Sequence, residues 1–389
     1  MSYLSTGPEM LDRKKAEAEL SSWLSSLQEP EEAQAKILDE LTKIYAKTGY
    51  GLEHGIEPGM DLETFRNRAQ PRDYRGFKPY ILRVLRGDTG VLLNEEPLFM
   101  GITSGSTGIP KIIPITERDA ELRISIMLKG LARYASYWRD EWVFRSACLA
   151  PCMPSEVKRI YIRGRAIPCG YISGIYAELI ARALGLERFF KPYLSELNSI
   201  GPGVRRTDWA RRFEIILEIL ADLDVGMAIG AGPALWMFAK WLKREKGMWP
   251  GDIWSVGLVL CAGVPNIQEH YVPELKRAFG PRAVVIEAYG ATEGMFAIQA
   301  DDKPYLVPFY DAYFLEAKVG REIKMLYEMK AGEVGRLVVS TPVFPRYEIG
   351  DVVACYGDGL YFRVLGRDKW GTWMRIWLGK LIERAARLF

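Results

Sequence analysis

Apolar and polar positions follow two periods along this chain, and the switches between them predict its elements. Near the start, Leu20, Leu24 and Leu27 recur at spacings of three and four, Pro30 opens a new segment, and Ile37, Leu41, Ile44 and Tyr45 continue the stripe. That is the helical period, so residues 9–48 are expected to form helices that pack without chemistry of their own. Residues 77–85 give another helix. Short apolar runs then take over, at 98–102, 112–115, 143–150, 160–162, 227–231, 254–261 and 284–287, and each reads as a buried strand. Helical stretches lie between them at 117–138, 174–184, 207–220, 235–243 and 273–279. Thr116 is the expected N-cap of the long one, with Asp119 in the capping-box position. Alternation of this kind implies an α/β fold with mostly parallel sheets layered with helices, and ligands of such sheets sit beyond the carboxyl ends of the strands. Strands at 322–328 and 336–340, on either side of Gly332 to Gly335, read as a hairpin in a smaller β-rich subdomain. The expected division is a helical region 1–95 integrated with the main domain, an α/β core 96–303, a β-rich subdomain 304–366 and a C-terminal remnant 367–389.

Composition narrows the partners. Hydrophobic residues are 49% and charged residues 26% of 389, the balance of a globular chain. A net charge of +3, from 52 basic and 49 acidic residues, is too weak for a nucleic-acid partner. The five cysteines form no C-x-x-C pair and only two histidines accompany them, which argues against a zinc site or a disulfide framework. The first residues lack a signal peptide's basic start and apolar core, and no run reaches the roughly 18 apolar residues of a membrane span. A cytoplasmic protein with no membrane partner is the expectation.

Candidate chemistry begins in LFMGITSGSTGIPKIIPIT, residues 98–116. Thr103, Ser104, Gly105, Ser106, Thr107 and Gly108 combine hydroxyls with glycines, and Lys111 follows three positions later. Glycines let the backbone approach a ligand, successive N–H groups converge on an oxyanion, and the lysine adds charge. It is not the P-loop pattern, since Lys111 is followed by Ile112 rather than a hydroxyl residue. On residues alone, a surface loop of turn formers is the alternative. Further along, Thr292 and Glu293 pair a hydroxyl with a carboxylate at a strand end, a set suited to Mg²⁺ bound to phosphate or to an ordinary surface turn. Tyr289 offers a flat face for stacking. Asp351 can accept both hydroxyls of a ribose, and Arg367 with Asp368 reads on residues alone as a solvated turn.

These segments, in this order, resemble the adenylate-forming superfamily. Thr103 to Lys111 resembles its first core motif T-S-G-[ST]-T-G-x-P-K, AYGATEG at 288–294 resembles Y-[GS]-x-[ST]-E, and YEIGD at 347–351 resembles Y-R-x-G-D with Glu348 in place of the arginine. Gly366, Arg367 and Asp368 resemble the hinge to a mobile lid domain. The resemblance covers roughly residues 95 to 370 and looks most like the auxin-responsive acyl acid amido synthetases and their prokaryotic relatives. It implies ATP-dependent activation of a carboxylic acid to an acyl-adenylate, with release of pyrophosphate and transfer to an amino acid. Coenzyme A, as in phenylacetate-CoA ligases, is the alternative acceptor, and a non-catalytic nucleotide-binding scaffold is the alternative class. The implied catalytic residues are Lys111, Thr292 and Glu293, with the 103–108 loop on the outer phosphates, Thr292 on the α-phosphate and Glu293 on Mg²⁺. Tyr289 and Gly290 would face the adenine, opposite Ala262, Gly263 and Val264, and Asp351 and Arg367 the ribose. Aromatics from Tyr161 to Tyr176 and from Tyr305 to Tyr313 point to an apolar or aromatic acid, walled by the loop 167–173 and by 304–314. Family members continue for roughly 100 residues beyond the hinge, a domain's length. Here Leu378 to Glu383 resembles only the start of the lid, and Lys380 stands too near the hinge for the lid lysine's role. A separate lid partner or a neighbouring subunit, a truncated product, and nucleotide binding kept without full catalysis are the corresponding expectations.

Overall fold

Three sheets organise the chain in the computed structural model, which describes residues 12–103, 110–183 and 187–377. The first contains β1 (Pro97–Ile102), β2 (Ile112–Thr116), β4 (Lys158–Ile162) and β5 (Arg165–Tyr171) in the order β2-β1-β5-β4. Its inner pair β1/β5 is parallel and its outer pairs are antiparallel. The second contains β3 (Ala147–Leu149), β6 (Val225–Ala231), β7 (Leu258–Ala262), β8 (Val284–Ala291), β9 (Gly294–Ile298) and β10 (Val307–Pro308). Its order is β10-β9-β8-β7-β6-β3, with β3, β6, β7 and β8 parallel and the far edge antiparallel. The third is antiparallel throughout, β12-β11-β13-β14-β15, from β11 (Phe314–Val319), β12 (Glu322–Met325), β13 (Val334–Ser340), β14 (Tyr347–Gly357) and β15 (Tyr361–Arg367).

The parallel strands are apolar on both faces because each face meets helices. On one side Leu235, Phe238 and Leu242 of the helix Gly232–Lys246 and Leu275 and Phe279 of Val272–Phe279 pack on Val259 and Val285. On the other, Ile126 and Leu131 of Glu117–Tyr137 join a core with Leu258, Leu260 and Ile286. Among the described residues, no helix is long and apolar enough to cross a membrane.

The first two helices, Arg13–Gln28 and Pro30–Tyr45, close over chain nearly 300 residues away. The Trp23 indole donates to the Pro308 carbonyl (2.8 Å), Gln34 donates to the carbonyls of Tyr310 and Tyr313 (2.7 Å each), and Gln34 Oε1 accepts from Leu315 N (2.8 Å). A buried ion cluster adds to this closure: Arg346 binds Glu316 through Nε (2.7 Å) and Nη2 (3.0 Å), while its Nη1 donates to the carbonyls of Arg66 and Ala69 (3.1 Å each).

Several expectations need correction. Asp119 N does bond the Thr116 hydroxyl (3.4 Å), but the Asp119 carboxylate turns to Arg123 and closes no capping box. The strand expected at 143–150 shrinks to Ala147–Leu149, because Glu141–Phe144 winds into a 3₁₀ turn. Residues 167–171, read as loop, belong to β5, which is parallel to β1. The strands around Gly332 do not form a hairpin with each other, since β12 and β13 pair on opposite edges of β11. In the stretch 309–314, Phe309, Tyr310, Tyr313 and Phe314 are fully buried, and Trp23 lies 4.8 Å from Phe309 between ring centres, so these aromatics are core. Leu378 to Glu383 and Lys380 lie outside the described residues.

Candidate active site

The carboxyl ends of β7 and β8 and the start of β14 face one region, and most of the motif residues sit there. Thr103 and Lys111 form the neck of the glycine-rich loop: Lys111 N donates to Thr103 Oγ1 (2.9 Å), and Thr103 N to the Lys111 carbonyl (3.1 Å). Ser104, Gly105, Ser106, Thr107 and Gly108 lie outside the described residues. Lys111 Nζ donates to the Tyr347 hydroxyl (3.0 Å) and rests near the rings of Tyr74 and Tyr347, at 5.4 and 5.6 Å from their centres. Burial first, and the neighbouring Glu293 carboxylate second, push the Tyr347 phenol far above its ordinary value. Lys111 and Glu293, 182 positions apart, thus lie near one phenol.

Thr292 and Glu293 are the two-residue turn between β8 and β9, and both are buried. The turn is held from outside the motif. Arg123, fully buried on Glu117–Tyr137, donates through Nη2 to the Thr292 carbonyl (2.9 Å), through Nε to Asp119 (2.8 Å) and through Nη1 to the Tyr176 hydroxyl (3.2 Å). Gly101 lies against the same turn, where a Cβ would stand 2.8 Å from Thr292 Cγ2. Tight packing at that point accounts for glycine in the middle of β1.

A second group lies beside the first. The Tyr289 hydroxyl donates to Asp351 Oδ2 (2.7 Å), Arg367 Nε stands 3.4 Å from Asp351 Oδ1, and Arg367 Nη1 donates to the Ile349 carbonyl (2.8 Å). Burial pushes the Asp351 carboxyl above its ordinary range, against the opposing pull of Arg367 and the Tyr289 hydrogen bond. Gly290 lies where β8 shifts register against β9. Ala262 ends β7, and Gly263 and Val264 continue from it with Gly263 at φ +85°. They share the sheet edge with Tyr289 on the neighbouring strand.

The donor set fits a magnesium nucleotide. Among the described residues no cluster of three or more His, Cys, Asp or Glu could hold an ion, and Mg²⁺ needs none, being held by one or two carboxylates together with phosphate and water. Glu293 would supply that carboxylate. Glu348, standing where the motif has arginine, lies 4.0 Å from Lys318 Nζ and points its charge there. Reading the sequence left Tyr74, Arg123 and Tyr347 without roles. Tyr347 was visible as the first letter of YEIGD, and Arg123 with Asp119 as opposite charges four apart on one helix face.

Known proteins resemble this chain in part of its sequence and in its fold. A sequence model of the GH3 family N-terminal domain matches residues 20–148. Indole-3-acetic acid-amido synthetase GH3.3 of Arabidopsis thaliana is 22% identical, over 83% of this chain and 64% of its own length. A putative indole-3-acetic acid-amido synthetase, GH3.10 of Oryza sativa subsp. japonica, is 23% identical over 83% of this chain and 75% of its own. The solved structure of AtGH3.15 acyl acid amido synthetase in complex with 2,4-DB superimposes with a TM-score of 0.68 at 17% identity, over 92% of this chain and 72% of that one. An open conformation of 2-hydroxyisobutyryl-CoA ligase gives 0.52 at 15% identity, over 86% and 74%. These structures share the fold, and the chain spans about two thirds (64%) of the length of the GH3.3 synthetase. The chain is thus similar to the GH3 N-terminal domain over residues 20–148 and shares the fold of the AtGH3.15 acyl acid amido synthetase.

Proposed function

We propose that this chain activates a small carboxylic acid with ATP, forming an acyl-adenylate and pyrophosphate, and that the acyl group then passes to the amine of an amino acid with release of AMP. The observation that carries this reading is the hydrogen bond from Lys111 to Tyr347, with Glu293 near the same phenol, beside the group formed by Tyr289, Asp351 and Arg367. An oxygen of the substrate carboxylate attacks the α-phosphorus, and the bond to the bridging oxygen breaks with pyrophosphate carrying away the electron pair. Bound Mg²⁺ would neutralise charge on the phosphate oxygens. Lys111 contributes a fixed positive charge toward the outer phosphates, and the buried Thr292–Glu293 turn is held still by Arg123. Asp351 accepts from the ribose hydroxyls, with Arg367 keeping the carboxylate oriented. The amine is favoured over coenzyme A as acceptor by the GH3 family match and by the amido synthetases among the relatives. A reaction drawing on ATP fits a cytoplasmic protein.

The test is carboxylate-dependent exchange of pyrophosphate into ATP, across aromatic, branched and fatty acids. Lys111→Ala and Glu293→Gln should fold and lose exchange by about 10²–10³-fold, the scale of losing one preorganised electrostatic contact. Exchange that persists in Glu293→Gln would remove Glu293 from the mechanism.

A further inference from the structure

The buried guanidinium of Arg123 joins the Thr292–Glu293 turn to a phenol that the site has not yet used. A guanidinium is a flat fork that only donates. Nη2 gives to the Thr292 carbonyl (2.9 Å), Nη1 to the Tyr176 hydroxyl (3.2 Å), and Nε is fixed by Asp119 (2.8 Å). The carbonyl and the phenol therefore lie within one guanidinium's span of each other, and the guanidinium carbon stands 5.4 Å from the centre of the Tyr176 ring. Tyr176 belongs to the helix Ile172–Ala183, which leaves β5 at the strand end paired with Ile102, next to the loop neck at Thr103. That helix has little room to shift. Ile175 and Leu179 are buried with Phe99 and Ile115, and at Gly174 a Cβ would come 2.2 Å from the Met153 carbonyl oxygen.

Because arginine can only donate, its bond to Tyr176 occupies a lone pair of the hydroxyl and leaves the proton unused. Among the described residues nothing accepts that proton, and the side chain is only partly buried. A fixed donor, polarised by the cation behind it, is left for a ligand oxygen. Resting on the adenylation reading above, we propose that Tyr176 donates to the substrate acid, at the carboxylate oxygen that does not attack phosphorus. Thr292, whose carbonyl shares the guanidinium, is the residue expected at the α-phosphate, and the acid must lie beside it to react. The same oxygen becomes the carbonyl oxygen of the acyl-adenylate. When the amine nitrogen bonds to that carbonyl carbon, the π pair moves on to this oxygen. The pair returns as the bond to AMP breaks, and the nitrogen's proton passes to solvent. Tyr176 meets falling charge on that oxygen in the first step and rising charge in the second. It binds the acid in one and stabilises the oxyanion in the other, with Arg123 as its positioning residue.

The experiment compares wild type with Tyr176→Phe, which keeps the ring and removes the hydroxyl, using whichever of phenylacetate, isobutyrate and octanoate exchanges fastest. In ATP–pyrophosphate exchange the variant should show a carboxylate KM raised about 10- to 100-fold, as when a hydrogen bond to a charged group is lost, and a kcat that is not lowered. In single-turnover amide formation from the preformed acyl-adenylate, with a mixture of the twenty amino acids, it should be about 10²–10³-fold slower. Its melting temperature should be unchanged. Equal KM and equal amide-forming rates in the two proteins would overturn the role of Tyr176 while leaving adenylation standing, and so would an exchange kcat that falls together with the amide rate, the mark of a general structural defect. If wild type exchanges but forms no amide, the KM alone decides. A wild type that exchanges with none of these acids overturns both readings. Should Tyr176→Phe not fold, 3-fluorotyrosine at 176, a stronger donor of nearly the same shape, should lower the KM and quicken amide formation. Values that it leaves unchanged would overturn the proposal.

Discussion

Replacing Arg346 with methionine would remove a guanidinium that is only 2% exposed and uses all three of its nitrogens. Two of them hold Glu316, whose side chain is wholly buried, and one serves two carbonyls at the end of the helix Leu62–Arg68. After the change Glu316 would keep a single charged partner, Arg66 Nε at 2.8 Å, and that arginine is 26% exposed. Methionine fills much of the volume, and the strained φ of +46° is shared by both residues, so the backbone cost cancels. What remains is a buried carboxylate left half-compensated, which costs about 3–5 kcal/mol. The double variant Arg346→Met with Glu316→Leu removes both charges and should recover most of that loss. Urea unfolding followed by tryptophan fluorescence measures both. The reasoning fails if the single variant loses less than about 1 kcal/mol, the scale of an ordinary hydrogen bond, or if the double variant is no more stable than the single one.

Gly101→Ala should push Thr292 out of place, since the new methyl would stand 2.8 Å from Thr292 Cγ2 and 3.3 Å from Ile115 Cδ1. A loss of about 1–3 kcal/mol in stability with weaker ATP binding is expected, and a variant unchanged in both melting and titration contradicts it. Docking of the helix at 370–377 should depend on pH through Asp368. Burial opposes its ionisation, but hydrogen bonds from the Trp373 indole (2.6 Å) and Arg336 Nε (2.6 Å) outweigh burial and hold the carboxyl below its ordinary range. A depressed carboxyl contributes stability that is complete above the unfolded value and lost as pH falls through the folded one. Trp373 fluorescence should therefore change only on acidification below the ordinary aspartate range, and Asp368→Asn should remove that transition.

Strands announced by continuous apolar runs were legible, as in β7 and β8, because burial on both faces leaves no polar positions to confuse the pattern. β5 was not, because Pro168 and Gly170 read as loop formers. Gly170 is there for a different reason, since a Cβ would come 2.0 Å from the Ser155 carbonyl oxygen. The partners of β12 and β13 could not be read, because adjacency in sequence suggests a hairpin while the sheet inserts β11 between them. The aromatic stretch after Tyr305 looked like a pocket, and only the N-terminal helices folding over it reveal it as core. At the site, single letters of motifs were visible, whereas what joins them was not. Tyr347 and Arg123 acquire meaning from contacts 236 and 169 positions away, to Lys111 and Thr292 respectively.

The same long reach governs how the protein can be made. Hydrogen bonds from Trp23, Gln34 and Tyr45 go to acceptors 276–299 positions later in the chain. At a synthesis rate of about 5–20 residues per second, these helices leave the ribosome roughly 15 to 60 seconds before their partners exist. Through that interval the Trp23 face has no native surface to meet. The opening helices are thus among the last to be secured, and nascent chains should be most prone to association before residue 344 has been synthesised.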